Sequence, residues 1–303
     1  MSIGIKWKER LDAYEHFLGL RRPFHGILMV CPTLSALWLI AEGRPPLSLI
    51  VILTMATLLA AAGGAAMCVW ARRIKDAQQH YPSADHSIIF PWETFFLGMI
   101  AFAMGGVFLY LTSFTALLAY GLCLILFGVF LRVCFIVSPH MLLMSFPYGV
   151  LLSLGVPLTY CAVALDKIGW LTWALMAAHV FMVIACEISN VLTEPKALSD
   201  IKRQRYCEAI QENPRSVALI GAGYDVYFLG MAAIGYFQHF GVVYWVAFAV
   251  GAVFAILAYR SASHKNQHNP LIMPYHYWIS LSLLIGMIAD YAVTAHAFLD
   301  IYR

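Results

Sequence analysis

Charge is scarce in this chain. Asp, Glu, Lys and Arg make up 12% of its 303 residues, about half the share of an ordinary soluble domain. With 62% hydrophobic residues and a mean hydropathy of +0.77, so few charges cannot keep the surface in water. That excludes a soluble enzyme, a disordered protein and a nucleic-acid binder, for which a net charge of +3 is also too small. The apolar runs are too long for barrel strands, which excludes a porin. The seven cysteines contain no C-x-x-C pair and mostly lie inside apolar runs, so they read as reduced packing residues rather than disulfides or metal ligands. There is no P-loop, zinc spacing, Ser/His/Asp order, internal repeat or low-complexity tract. The first ten residues are charged and do not read as a signal peptide.

What is present is a series of long apolar runs. Nine qualify as spanning helices, near 24–42, 47–70, 93–112, 115–133, 141–163, 169–191, 217–238, 241–259 and 276–298. Pro32, Pro147 and Pro157 fall within spans and are tolerated where neighbouring helices cover the carbonyls they free. Sixteen of the nineteen Lys and Arg fall on one set of loops. The positive-inside rule then puts the N-terminus in the cytoplasm and the C-terminus outside. An odd span count gives the same answer. The expected fold is therefore an all-α, multi-pass protein of the cytoplasmic (inner) membrane, a single domain over 1–303. Its first 23 residues form an amphipathic interfacial segment, with Leu11, Tyr14, Phe17 and Leu18 at helical spacing. Two long hydrophilic connections, 71–92 and 192–216, lie on the cytoplasmic side, where loops of that length usually carry function.

Polar groups near those connections are the candidate site. Glu187, Asn190 and Glu194, at i, i+3 and i+7, stack on one face at the cytoplasmic end of the sixth span. Carboxylates at that depth call for a cavity, a cation or a basic partner. Arg72, Arg73, Lys75 and Asp76 open the first long connection, where three basic groups can grip a diphosphate or lipid head group. Asp225 and Asp290 lie within the seventh and ninth spans. Each is either functional or held in a structural hydrogen bond, Asp290 with Thr294 and Asp225 with Tyr224 or Tyr227. His179, on an apolar face, reads as a satisfied packing residue.

The stretch Arg22-Pro23-Phe24-His25-Gly26, followed by Cys31-Pro32-Thr33-Leu34-Ser35-Ala36-Leu37-Trp38, resembles the R-P-x-x-G and P-T-L-x-A-L-W signatures that open UbiA-superfamily intramembrane prenyltransferases, most closely the 4-hydroxybenzoate polyprenyltransferase branch. Nine spans and long cytoplasmic connections after the second and sixth agree along the whole chain. The resemblance implies a UbiA-type bundle in which two Asp-rich motifs hold Mg²⁺, the Mg²⁺ holds a prenyl diphosphate, and an allylic cation alkylates an aromatic ring. Clustered carboxylates are needed because diphosphate leaves only when its charge is neutralised.

Against that pattern the first motif is degenerate. Where the family has N-D-x-x-D-x-x-x-D, this chain has Cys68, Val69, Arg72 and Asp76, so only the last acid matches. The family's R-x-x-x-R-P-L becomes Tyr81-Pro82-Ser83-Ala84-Asp85-His86-Ser87, and Y-P-x-x-K-R becomes Cys134-Phe135-Ile136-Val137-Ser138-Pro139. In the second motif, D-x-x-Y-x-x-x-D-x-x-D-D, Glu187 and Glu194 take the first two acidic positions and Asn190 the tyrosine. The closing acids become Ala197 and Leu198. By resemblance, Arg22, Arg72, Arg73, Lys75 and Asn190 are the candidate head-group or diphosphate binders. Asp76, Glu187 and Glu194 are the candidate metal ligands, enough for one Mg²⁺ if the site is active. Two functions follow. One is a non-catalytic isoprenoid-binding protein that takes a quinone, polyprenyl or pigment tail, as a subunit of a larger membrane complex. The other is an active, divergent prenyltransferase or terpene cyclase. A transporter is a weaker third reading, prompted by Asp225 and Asp290.

Overall fold

In a computed structural model of the chain, the structure describes residues 24–78, 90–136, 150, 153–163, 169–193, 210–263 and 272–301. Nine helices run through these residues: α1 (Phe24–Ile40), α2 (Leu47–Gln78), α3 (Pro91–Tyr110), α4 (Phe114–Ile136), α5 (Gly155–Val163), α6 (Trp170–Thr193), α7 (Ser216–Phe237), α8 (Val242–Ser263) and α9 (Ile272–Ile301). Seven of them, α2–α4 and α6–α9, are long and apolar enough to cross a membrane. Of α1, residues Gly26–Ile40 form a shorter apolar helix. Of the fifth expected run, residues 150 and 153–163 are described, and they include the nine residues of α5. The amphipathic segment expected over 1–23 lies outside the described residues.

Each helix packs on the next, and α9 packs back on α1, so the chain closes into a ring. Helices α1 and α6 are its inner members: α1 touches α2, α5, α6 and α9, and α6 touches α1, α5, α7, α8 and α9. Two apolar cores result. A large one joins α1 to α6–α9 through residues such as Leu28, Met182, Ile188, Tyr244 and Ile279. A smaller one joins Leu37 to α2–α4 through Leu53, Phe102, Leu109 and Tyr120. Close approach depends on small residues, as expected where lipid removes the hydrophobic drive between helices. A Cβ on Gly98 would meet Met67 and the Gly63 carbonyl across the α2–α3 contact. Cβ atoms on Gly223 and Gly230 would meet Ala185 and Ala178 across α6–α7.

The kink residue Pro32 shows how the ring is tied together. Proline cannot donate to the carbonyl four residues back, so Leu28 C=O is left without its intrahelical partner. Buried His179 of α6 donates Nε2–H to that oxygen at 2.6 Å. His179 is thus the packing residue the sequence suggested, and its task is to cover a carbonyl freed inside α1.

Candidate functional site

The second motif sits at the C-terminal end of α6. From Met182 to Leu192 that helix is buried at every position except Glu187 and Asn190, which are half-buried. At 100° per residue, Asn190 lies at least about 100° from every member of the exposed stripe Trp173, Ala177 and Phe181, whereas Glu187 lies only about 40° from Trp173 and about 120° from Phe181. Asn190 therefore turns away from the outer surface of α6, and Glu187 stands at the edge of its exposed stripe. Glu194 lies outside the described residues, as does Arg22.

The first motif is carried by α2. The sequence placed Arg72, Arg73, Lys75 and Asp76 at the opening of a loop, but α2 continues as one helix to Gln78. The physical reason is propensity. Hydropathy ends near Ala71, yet Ala, Arg, Lys and Gln are all good helix formers, so the helix outlasts its apolar part. Val69, Arg72 and Asp76 accordingly hold i, i+3 and i+7 register positions, the same spacing as Glu187, Asn190 and Glu194 on α6. Cys68 and Val69 are half-buried. No three His, Cys, Asp or Glu come together as metal ligands among the described residues. Two small cavities lie in the interior, each with room for about one water molecule and neither lined by Val69, Glu187 or Asn190. One adjoins Pro32, His179, Tyr227 and Ser280; the other adjoins Thr33, Thr57, Tyr120 and Gly155.

A polar cluster beside the second motif was missed in the sequence. Ser189, between Glu187 and Asn190, donates to the Ala185 carbonyl at 2.8 Å and presents its oxygen to His276 Nε2 at 3.1 Å. Tyr224 Oη lies 2.6 Å from the same nitrogen. All three side chains are buried. The cluster ties α6, α7 and α9 together directly beneath the motif. Its one visible signal was His276 at the start of an apolar run, and its partners are 52 and 87 residues away in sequence. Gln211 also reaches back, donating to the Val191 carbonyl at 3.1 Å, so the chain entering α7 is anchored to the end of α6.

The two intramembrane acids part company. Asp290 is buried, and its carboxylate accepts from Gly241 N at 2.9 Å and Tyr244 N at 3.4 Å. It caps the N-terminus of α8 from a different helix, satisfying N–H groups that have no partner within α8. Thr294 bonds the Asp290 backbone oxygen, not its carboxylate. Asp225 is exposed, and neither Tyr224 nor Tyr227 bonds it. Tyr224 turns inward to His276, so the proposed local hydrogen bond is corrected.

No family model matches the chain. Whole-chain comparison is more informative. A 4-hydroxybenzoate octaprenyltransferase of Ralstonia nicotianae is 26% identical over 305 residues, covering 97% of this chain and 100% of the relative. One of Burkholderia mallei is 28% identical over 294 residues, covering 94% and 98%. Among solved structures, a UbiA homolog from Aeropyrum pernix matches with a TM-score of 0.69 at 15% identity, over 89% of this chain and 98% of that one. The chain is thus similar over nearly its whole length to these octaprenyltransferases and shares the UbiA fold. A second UbiA-fold match, from a study of digeranylgeranylglyceryl phosphate synthase, has a TM-score of 0.60 at 13% identity and covers 93% and 99%. The match to these relatives runs over nearly the whole of the chain, and its described residues form a helical, multi-pass membrane fold of the UbiA type.

Proposed function

We propose that this UbiA homologue binds an isoprenoid and does not carry out ordinary Mg²⁺-dependent prenyl transfer. The ligand is a quinone, a polyprenyl lipid or a pigment tail. The protein is a nine-span, single-domain bundle of the inner membrane, N-terminus in the cytoplasm and C-terminus outside, working as a subunit of a larger membrane assembly. One observation carries the reading: at the register positions of α2 where the family gathers cations, this chain has Cys68, Val69 and Arg72, leaving Asp76 alone. A prenyl diphosphate brings about three negative charges, and acids repel it unless divalent cations intervene. An arginine there repels Mg²⁺ and attracts an anionic head group directly. In this account Arg22, Arg72, Arg73, Lys75 and Asn190 hold the head group, and Asp76, Glu187 and Glu194 retain donors for a single Mg²⁺. Binding of a polyprenyl ligand to purified protein is expected to be insensitive to EDTA and weakened by Arg72→Ala.

A second reading is favoured by the full-length match to proteins named 4-hydroxybenzoate octaprenyltransferase. It is an active, divergent transferase or cyclase in which the basic groups of α2 grip the diphosphate and Glu187 and Glu194 hold one metal. Metal-dependent product formation that is lost in Glu187→Ala supports this reading and overturns the first.

A further inference from the structure

Asp225 lies on the wrong side of α7 for a cavity. The neighbours of α7 can be placed around its axis from their contacts. Gly223 and Gly230 face α6, Tyr224 faces His276 of α9, and Gly221 and Phe228 face Tyr259 and Phe248 of α8. These directions occupy a little over half the circumference. The rest carries the exposed residues Ala218, Ala222, Asp225, Val226, Leu229 and Tyr236. Asp225 therefore points out of the ring. Its depth follows from the same contacts. It stands about 14 Å along the axis from Ser216 and about 18 Å from Phe237. With Gly223 beside Ala185 and Gly230 beside Ala178, it is level with Val183, near the middle of α6. A carboxylate thus faces outward near the centre of an apolar layer about 30 Å thick.

We propose that this face of α7 docks one transmembrane helix of a different membrane protein, which places a Lys or Arg against Asp225. Charge complementarity selects that occupant. The described spans offer no outward cation near this depth: His179 and His276 are buried, and Arg260 lies in the last turn of α8. A second copy of the chain meeting this face about a two-fold axis would set one Asp225 against the other, like charge on like charge. Ala218 and Ala222, small residues four apart on the same stripe, let a helix backbone come close. The proposal rests on the complex-subunit part of the function above and adds the surface and the chemistry of the partner.

The test uses the full chain in phosphatidylcholine vesicles with a single-span polyleucine peptide bearing one central Lys, read by energy transfer. The Lys peptide is expected to associate about tenfold more tightly than an all-Leu peptide. Asp225→Leu and Asp225→Asn should remove or reduce that preference without lowering thermal stability. Equal association of both peptides, or a preference that survives Asp225→Leu, overturns the proposal. In native membranes, a photo-crosslinker at Leu229 should give an adduct that depends on Asp225 and whose partner helix carries an intramembrane Lys or Arg. Replacing that residue by Leu should abolish the adduct. An adduct with a second copy, or none, overturns the proposal. Isoprenoid binding measured on the same variants keeps the two ideas apart: it should be unchanged in Asp225→Leu, and its absence in the wild type defeats the site reading alone.

Discussion

Between α6 and α9, buried His179, Ser189, Tyr224, His276 and Asp290 each make a bond to another helix, while the buried Thr172 hydroxyl of α6 has no partner among the described residues. Between α2 and α4, Thr57 bonds the Leu53 carbonyl within its own helix, and the buried Tyr120 hydroxyl has no partner among the described residues. Enclosure overlaps between the halves and peaks at α6: 61% of its spanning window is buried, against 44% for α9, 39% for α3 and 22% for α8. Small-residue packing operates in both halves, at Gly98 in one and at Gly223 and Gly230 in the other, and the α6–α9 half adds directional bonds between helices. The second motif, which keeps two of its acidic positions as Glu187 and Glu194, stands on the most enclosed of the spanning helices. The first, which keeps only Asp76, ends a helix held mainly by glycine contacts.

That contrast predicts unequal costs for removing polar groups. Asp290→Leu should cost most, about 3 kcal/mol, because two N–H groups at the start of α8 lose a charged acceptor in a buried site. Unfolding in detergent should show the loss as a lowered midpoint. A smaller loss, about 1–3 kcal/mol, is expected for His179→Phe, which strands the Leu28 carbonyl. Adding Pro32→Ala should recover part of it by restoring an intrahelical N–H, and the double-mutant cycle should show the coupling. If the two changes simply add, His179 is not covering the carbonyl that Pro32 frees. The finest comparison sets Tyr224→Phe against Tyr120→Phe. The first should cost about 1 kcal/mol; the second should be neutral or slightly stabilising, since its hydroxyl is buried without a partner among the described residues. Equal costs would erase the distinction between the halves.

Much of this was legible in the sequence because apolar length locates helices directly: seven of the nine expected spans coincide with helices long and apolar enough to cross a membrane, and the first and fifth with shorter helices over their described parts. Helix ends were less legible. Arg72 to Asp76 read as loop because hydropathy fell, while the backbone followed helix propensity. The role of Pro32 could be anticipated as a freed carbonyl, but the donor that covers it is 151 residues away. Asp290 and Asp225 looked alike in sequence, each a lone acid in an apolar run. Only the neighbours of α7 and α9 separate a buried helix cap from an outward carboxylate. The Ser189–Tyr224–His276 cluster left no pattern, because its three residues come from three helices with no shared spacing.

The central claim is that the α2 substitutions have replaced metal-assisted diphosphate chemistry with direct binding. The most direct measurement incubates purified protein in vesicles with a polyprenyl diphosphate and 4-hydroxybenzoate, with Mg²⁺ or with EDTA, and follows bound ligand and prenylated product together. The account predicts no prenylated product in either condition, and ligand retention that is the same with and without EDTA and falls in Arg72→Ala. Product that forms with Mg²⁺, vanishes with EDTA and is lost in Glu187→Ala would contradict it.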